Sequence, residues 1–429
     1  MSEVVPGRML GALRHRNYRL FFVGQIISTI GTWMQSVAMP WLALELTHSG
    51  LLVGLVLAAQ FTPVLLGSQL GGVVADRFPK RPVLLATQTA FMLPSFVLFA
   101  LSASGQAHYW MVIVAAIATG TITMFDIPAR QSFNVEMVGK RDLTNAIALN
   151  SSVFNGAAVV GPAVAGLLIA AVGVPLCFLA NSVSYIAAVV ALLLMKDLPD
   201  RIREHHEPPW VSRLTQGAAY ARHEPVVGML LVAVAVFSLF AMNRQTIMPL
   251  FAEQVLHVGA QGFGLLLGAM GLGALLGALT LAFVPQLAAD PRRQLRMAAI
   301  WVAALLEFSI SRVFVLSLAT LCVAGYCQIS FLATTNSRIQ TITPDHLRGR
   351  VIALYAQALG GVGPLGNLFA GGVATLLGAP WAMAIGASIA GAVVLTIRLL
   401  RPEVFGQPRK TSSTEAAASA GTSQRSART

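Results

Sequence analysis

Long apolar runs separated by short polar breaks dominate this chain. A helix needs roughly 20 apolar residues to cross the hydrocarbon core of a bilayer. Runs of that order recur twelve times, near 18–44, 51–75, 82–103, 109–129, 144–171, 175–195, 225–252, 261–285, 296–311, 313–336, 347–376 and 380–400. The ninth is the shortest, with Glu307 and Arg312 bracketing its end. The pattern predicts an all-α membrane protein of twelve transmembrane helices, with both termini on one side. The hydrophilic stretch 196–224, "KDLPDRIREHHEPPWVSRLTQGAAYARHE", divides six spans from six. Its prolines and mixed charges suit a surface linker with a short helix lying along the membrane. The predicted units are a first six-helix bundle over 1–195, the linker, a second bundle over 225–400, and a disordered tail over 401–429, rich in Ser, Thr and Ala.

The two sets of six spans resemble each other. "MPWLALELTHSG" (39–50) matches "MPLFAEQVLHVG" (248–259) in Met, Pro, His and Gly at an offset of 209. Gly156, Gly161, Gly166 and Gly173 recur as Gly361, Gly366, Gly371 and Gly378 at an offset of 205, and "NAIALN" (145–150) meets "RVIALY" (350–355) at the same offset. Two halves duplicated in one orientation, with a site between them, are a transporter plan.

Composition agrees. The 429 residues are 56% hydrophobic and 11% charged, with a mean hydropathy of +0.71. A soluble domain carries about 25% charged residues to wet its surface, so this surface faces lipid. The net charge of +12 raises the question of nucleic acid. Its distribution answers it: of 29 Lys and Arg, all but Arg244 and Arg312 fall in alternate breaks or at the termini. Basic residues near span ends stay in the cytoplasm. Both termini are therefore expected there, in a multi-pass protein of the cytoplasmic membrane with no nucleic-acid partner. The N-terminus lacks the apolar core and cleavage site of a secretory signal. Cys177, Cys322 and Cys327 sit in apolar runs without CxxC spacing and read as small core residues rather than metal ligands.

One break is unusually dense in charge. In "GGVVADRFPKR" (71–81), Gly72-x-x-x-Asp76-Arg77-x-x-Lys80-Arg81 lies between the second and third spans. With twelve spans around it, this stretch resembles the cytoplasmic signature of the major facilitator superfamily. The resemblance implies two six-helix bundles that rock about a central site, with these charges latching the bundles when the protein opens outward. Asp76 would face the start of the eleventh span. Lys80 or Arg81 would pair with Asp126 in the fourth, beside Arg130. Pro79 departs from the glycine usual in that signature. "FVGQIISTIGTWMQSVAMPWLALELTHS", "IPARQSFNVEMVGKRDLTNAIALNSSVFNGAAVVGPAVAGLLI" and "RGRVIALYAQALGGVGPLGNLFAGG" narrow the resemblance to the branch that holds enterobactin exporters and the transmembrane secretion effectors.

Polar stripes on single helix faces are the candidate chemistry, because polar groups inside a membrane usually line water or substrate. Gln25, Thr29, Thr32 and Ser36 recur at i, i+4, i+7 and i+11 in the first span, with Trp33 beside them. Thr119, Thr123, Asp126 and Arg130 repeat that spacing in the fourth, and Ser238, Met242, Gln245 and Pro249 in the seventh, next to Asn243 and Arg244. The plainer reading of any single hydroxyl is a bond to its own helix backbone. Arg244 is the one charge well inside a span; it is read as contacting substrate or counter-ion, with Phe237, Phe240, Met242 and Met248 as an adaptable apolar lining. No carboxylate lies at mid-membrane. Asp126 and Glu45 are the candidates for proton coupling, which the resemblance implies. The expected substrate-binding set is thus Gln25, Thr29, Trp33, Ser36, Thr119, Thr123, Met242, Asn243, Arg244 and Gln245.

Other classes fit less well. A primary pump would need a G-x-x-x-x-G-K-[ST] phosphate loop, which is absent. A membrane enzyme would need a catalytic or metal constellation, and the eight His are scattered. A transport-dead receptor keeps the same composition. The expectation is a monomeric secondary transporter without cofactor, metal or catalytic residues, exporting a small siderophore-like amphipathic molecule in exchange for protons. The alternative is a multidrug antiporter for lipophilic compounds.

Overall fold

The structure is a computed structural model that describes residues 11–196 and 210–406. These residues form fourteen α-helices, several short 3₁₀ or π turns and no strand. All helix is what lipid demands, since backbone groups without water must bond within their own segment.

In chain order the helices are α1 (Arg16–Thr47), α2 (Gly50–Arg77), α3 (Lys80–Ala103), α4 (Tyr109–Val172), α5 (Pro175–Leu193), α6 (Trp210–His223) and α7 (Pro225–Phe240). There follow α8 (Arg244–Gln254), α9 (Gly259–Phe283), α10 (Pro291–Ile310), α11 (Phe314–Ile342), α12 (Asp345–Ala356), α13 (Gly363–Leu377) and α14 (Ala379–Leu400). Each of the twelve predicted runs falls on a helix, yet three breaks differ from expectation. α4 carries the fourth and fifth runs as two helices that meet at a kink at Gly139, φ 68°, with spans Tyr109–Gly139 and Asn145–Val172 on either side and no loop between them. The seventh run splits at 241–243 into α7 and α8. The eleventh splits at a π turn over Gln357–Gly361 into α12 and α13. Ten segments are long and apolar enough to cross a membrane; α1 and α10 are outside that set. Gln25, Ser28, Gln35 and Ser36 in α1, and Arg292, Arg293, Gln294, Arg296 and Glu307 in α10, dilute their apolar runs.

The paired segments share backbone geometry. His48 and His257, which stand 209 residues apart, are the two described non-glycine residues with positive φ, at 49° and 53°. Each comes eight residues after a proline inside a helix, Pro40 in α1 and Pro249 in α8. Gly173 and Gly378, 205 apart, close α4 and α13 at φ 90° and 94°. Such angles cost an L-residue strain, so their recurrence at the matched positions marks the same turn made twice.

Among the described helices, α1 packs on α4 and α5, α2 on α4 and α13, α9 on α11 and α4, and α10 on α11 and α14. Lipid tails are as apolar as a leucine, so helices associate through close van der Waals fit, which small residues allow. At one crossing of α2 and α13, a Cβ on Gly54 would collide with Asn367 O, and one on Gly371 with Gly50 O. At the α4–α9 crossing, a Cβ on Gly264 would collide with Pro162 O. Only glycine permits these approaches. α6, from the linker, docks on α12, with Gly217 against Arg350 O. The remainder of the linker and residues 407–429 of the predicted tail lie outside the described residues.

Candidate functional site

The charged break at 71–81 is shorter than its sequence suggests, because α2 runs through Arg77 and α3 starts at Lys80. Asp76 and Arg77 are exposed and have no hydrogen bond or ion pair among the described residues. A Cβ on Gly72 would meet nothing within 4 Å, and the same holds for Gly349 at the start of α12. So the expected contact between Asp76 and the eleventh span is not made in this conformation. α2 and α13 touch tightly at the opposite end, at Gly50 and Gly54.

The expected pairing of Lys80 or Arg81 with Asp126 is corrected. Lys80 is 5% exposed and lies 3.5 Å from Glu136. Arg81 donates to Leu192 O at 2.9 Å and Leu193 O at 3.0 Å on α5. Asp126 sits ten residues before Glu136 on α4, about 15 Å deeper at 1.5 Å per residue, beyond the reach of either side chain. It is buried and fully engaged: Thr87 Oγ1 donates to it at 2.8 Å, Gln88 Nε2 at 2.7 Å, and Arg130 pairs with it. Arg130 also donates to Gln25 Oε1, which draws Gln25 into this cluster and away from a free wall. Glu45 accepts from Trp41 Nε1 at 2.6 Å near the end of α1. Sequence reasoning missed Glu136; recognising that α4 continues past 129 would have found it.

Several stripe hydroxyls turn back onto their own helices. Ser36 Oγ donates to Trp33 O at 2.7 Å, Thr119 Oγ1 to Ala115 O at 2.8 Å, and Thr123 Oγ1 to Thr119 O at 2.7 Å. Thr29 is half-buried with no such bond among the described residues. Trp33, also half-buried, meets Phe154 edge-on at 5.4 Å. Phe237 and Met248 are corrected from lining to core: both are fully buried, and Phe237 stacks on Trp301 at 4.3 Å. Phe240 keeps a half-buried face against Phe369.

The break between α7 and α8 holds the remaining candidates together. Met242, Arg244 and Gln245 are half-buried, and Asn243 is buried, with its Nδ2 donating to Leu239 O at 2.7 Å. Thr246 Oγ1 fixes the start of α8 by donating to Asn367 Oδ1 on α13 at 2.9 Å. Ser238 Oγ donates to Leu359 O at 2.6 Å, taking up a carbonyl in the π turn. Arg244 stands at the first position of α8 and makes no hydrogen bond or ion pair among the described residues. Its guanidinium and the unsatisfied N–H groups of a helix start are both positive. The arrangement suits an anionic group and offers no nucleophile or metal cluster among the described residues.

A family model described as the transmembrane secretion effector matches residues 8–419. The chain belongs to that family, within the major facilitator superfamily. It is a multi-pass membrane transporter and not an enzyme. This transporter is 26% identical over 413 residues to the enterobactin exporter EntS of Salmonella typhimurium, covering 95% of this chain and 96% of the relative. It is 28% identical over 176 residues to the staphyloferrin A transporter of Staphylococcus aureus, covering 41% of this chain and 44% of that relative. Among solved structures, it shares the fold of an inward-facing bacterial homologue of the lysosomal transporter Spinster, at TM-score 0.68 and 12% identity over 94% of this chain and 97% of that one. A point mutant of the nucleoside transporter NupG gives TM-score 0.71 at 12% identity, over 91% of this chain and 100% of that one.

Proposed function

We propose that this transporter is a proton-coupled exporter of a small, amphipathic, anionic molecule of siderophore type, working by alternating access. The observation that carries the proposal is Arg244: a half-buried guanidinium without a partner among the described residues, at a helix start, in the break of the seventh span. A cation inside a membrane protein is costly unless something compensates it, and an anionic substrate does so during transport. The names of the enterobactin and staphyloferrin A relatives support the substrate class.

In the proposed architecture α1 and α10 complete twelve spans, arranged as two six-helix bundles over 1–195 and 225–400. Residues 196–224 form a cytoplasmic linker and 401–429 a cytoplasmic tail. The protein acts as a monomer with both termini inside the cell. The conformation is then the inward-open one: tight crossings near Gly54 and Gly371 close the outer end, while Asp76 and Arg77 stand free at the cytoplasmic end. Gly72, Asp76 and Arg77 would latch the bundles in the outward-open state, while the Lys80–Glu136 and Asp126–Arg130 pairs and the bonds of Arg81 to α5 brace that end of the first bundle. Asp126 and Glu45 are the proposed proton carriers.

A second reading, efflux of neutral lipophilic drugs, is favoured by the self-bonded hydroxyls of Ser36, Thr119 and Thr123, which leave the wall more apolar. The test is Arg244→Gln assayed for export of a catecholate siderophore and of a neutral dye. The proposal expects a large loss of export for the anion and little change for the dye. Equal loss for both would assign Arg244 a structural role and overturn it.

A further inference from the structure

In the first half of the chain the buried Lys80 and the half-buried Arg130 both have acids. Lys80 has Glu136 at 3.5 Å, and Arg130 has Asp126, which Gln88 also binds. The α10–α11 pair repeats this arrangement one half later. Gln294 stands 206 residues after Gln88, Arg338 208 after Arg130, and Thr334 208 after Asp126. Arg338 Nη1 donates to Gln294 Oε1, and Gln294 Nε2 donates to Thr335 Oγ1 at 2.6 Å, so here the amide and the guanidinium bond each other directly, whereas in the first half Gln88 and Arg130 are joined through Asp126. The carboxylate is gone, and threonine occupies its place.

The cations remain. Arg293 is 5% exposed and Arg338 9%. Arg293 Nη2 reaches Tyr326 OH at 3.4 Å and Ser330 Oγ at 3.3 Å, while its Nη1 is buried with no partner. Thr334 Oγ1, one turn beyond Ser330 on α11, is likewise buried with no partner. Neither arginine makes an ion pair among the described residues. Asp290 caps α10 by accepting from Arg292 N at 2.9 Å and lies 3.9 Å from Arg296.

A buried charge without a counter-charge is costly, and leaving its N–H groups unbonded adds to the penalty. We propose that the α10–α11 cluster binds a small inorganic anion of chloride size, held by Arg293 Nη1 and Thr334 Oγ1 near Arg338. It replaces the carboxylate that Asp126 supplies in the first half. A small anion suits two groups this buried, Arg293 Nη1 on α10 and Thr334 Oγ1 on the adjoining α11. Attraction follows from the surroundings. The same end of α10 borders a cavity of about 700 Å³ lined by Arg292, Arg296 and Arg398, with Asp290 the one acid among its lining residues. That field concentrates anions at the helix start.

The test uses the purified full-length protein in nanodiscs, unfolded thermally in sodium chloride and in sodium gluconate at equal ionic strength. Chloride should raise the midpoint by about 5 °C at hundredfold excess over Kd. Thr334→Asp, which restores the first-half pattern, should unfold in gluconate as high as the unaltered protein in chloride, with no chloride dependence. Arg293→Gln should also lose the dependence. As an independent measurement that needs no variant to fold, the chloride NMR resonance should broaden in the presence of the unaltered protein and narrow again on adding excess bromide. Absence of both a chloride shift and broadening in the unaltered protein would overturn the proposal. So would a Thr334→Asp protein that folds and keeps the full chloride shift.

Discussion

The two ends of this transporter are built on opposite principles. At the end where α1 turns into α2, helices close on one another through backbone: Gly54 against Asn367 O, Gly371 against Gly50 O, Gly264 against Pro162 O. At the end where α2 turns into α3, Asp76 and Arg77 stand exposed and Gly72 and Gly349 face open space. Glycine crossings hold by many weak dispersion contacts and need no solvent. Charges hold by a few directional bonds that water competes for. In the proposed alternating access the shape-sealed end would open as charges close the other, an exchange that small differences in free energy can drive. A contact made in one state alone shifts the equilibrium by its own differential energy.

The largest expected effect comes from spoiling the sealed end. Gly54→Leu would drive a side chain into Asn367 O and force α2 from α13. Overpacking of this kind costs about 1–3 kcal/mol or more, so the inward-open population should fall roughly 5- to 150-fold. Transport should be lost while membrane insertion, read by expression and gel filtration, remains. Normal transport in Gly54→Leu would mean that this crossing does not act as a gate.

Asp76→Asn comes next. Because Asp76 has no partner among the described residues in this conformation, the substitution leaves it undisturbed and weakens only the opposite state. Charge-assisted bonds of this sort contribute about 1–3 kcal/mol, and transport should drop by up to roughly a hundredfold without loss of protein. Ser238→Ala is the smallest. It removes the donor to Leu359 O in the π turn, a neutral bond of about 1 kcal/mol, and should lower thermal stability by a few degrees while halving transport at most. A loss as great as that of Asp76→Asn would move the hinge from the charged break to the π turn.

Much of this was legible in sequence, and the misses share a cause. The repeat was legible because its signals are local: proline, histidine and glycine at fixed spacing encode a helix end, and His48 and His257 adopt matching angles. The break at 241–243 was not, because no proline or glycine marks it; Pro249 sits inside α8. The continuation of α4 past Pro128 to Gly139 was hidden by polar residues, which end an apolar run without ending a helix. That hid Glu136, and with it the partner of Lys80. Arg293 and Arg338 were grouped with the cytoplasmic basic residues, since counting charge along a chain carries no burial. The offset of 208 that joins Asp126-x-x-x-Arg130 to Thr334-x-x-x-Arg338 was the available signal. Spacing alone also does not separate a cavity wall from a capped helix, since a hydroxyl at the right spacing bonds its own backbone as readily as a substrate, as Thr119 and Thr123 do.

The exchange of roles between the two ends is tested most directly by spin-label distances. With Cys177, Cys322 and Cys327 replaced by Ser, labels at positions 73 and 349 would report the charged end, and labels at positions 51 and 376 the glycine-sealed end. In nanodiscs the unaltered protein should give two populations at each end, anticorrelated between the pairs as pH or substrate changes. Asp76→Asn should collapse the 73–349 pair to its longer distance and the 51–376 pair to its shorter one. A single distance at both ends, unchanged by Asp76→Asn, pH and substrate, would contradict alternating access governed by this latch.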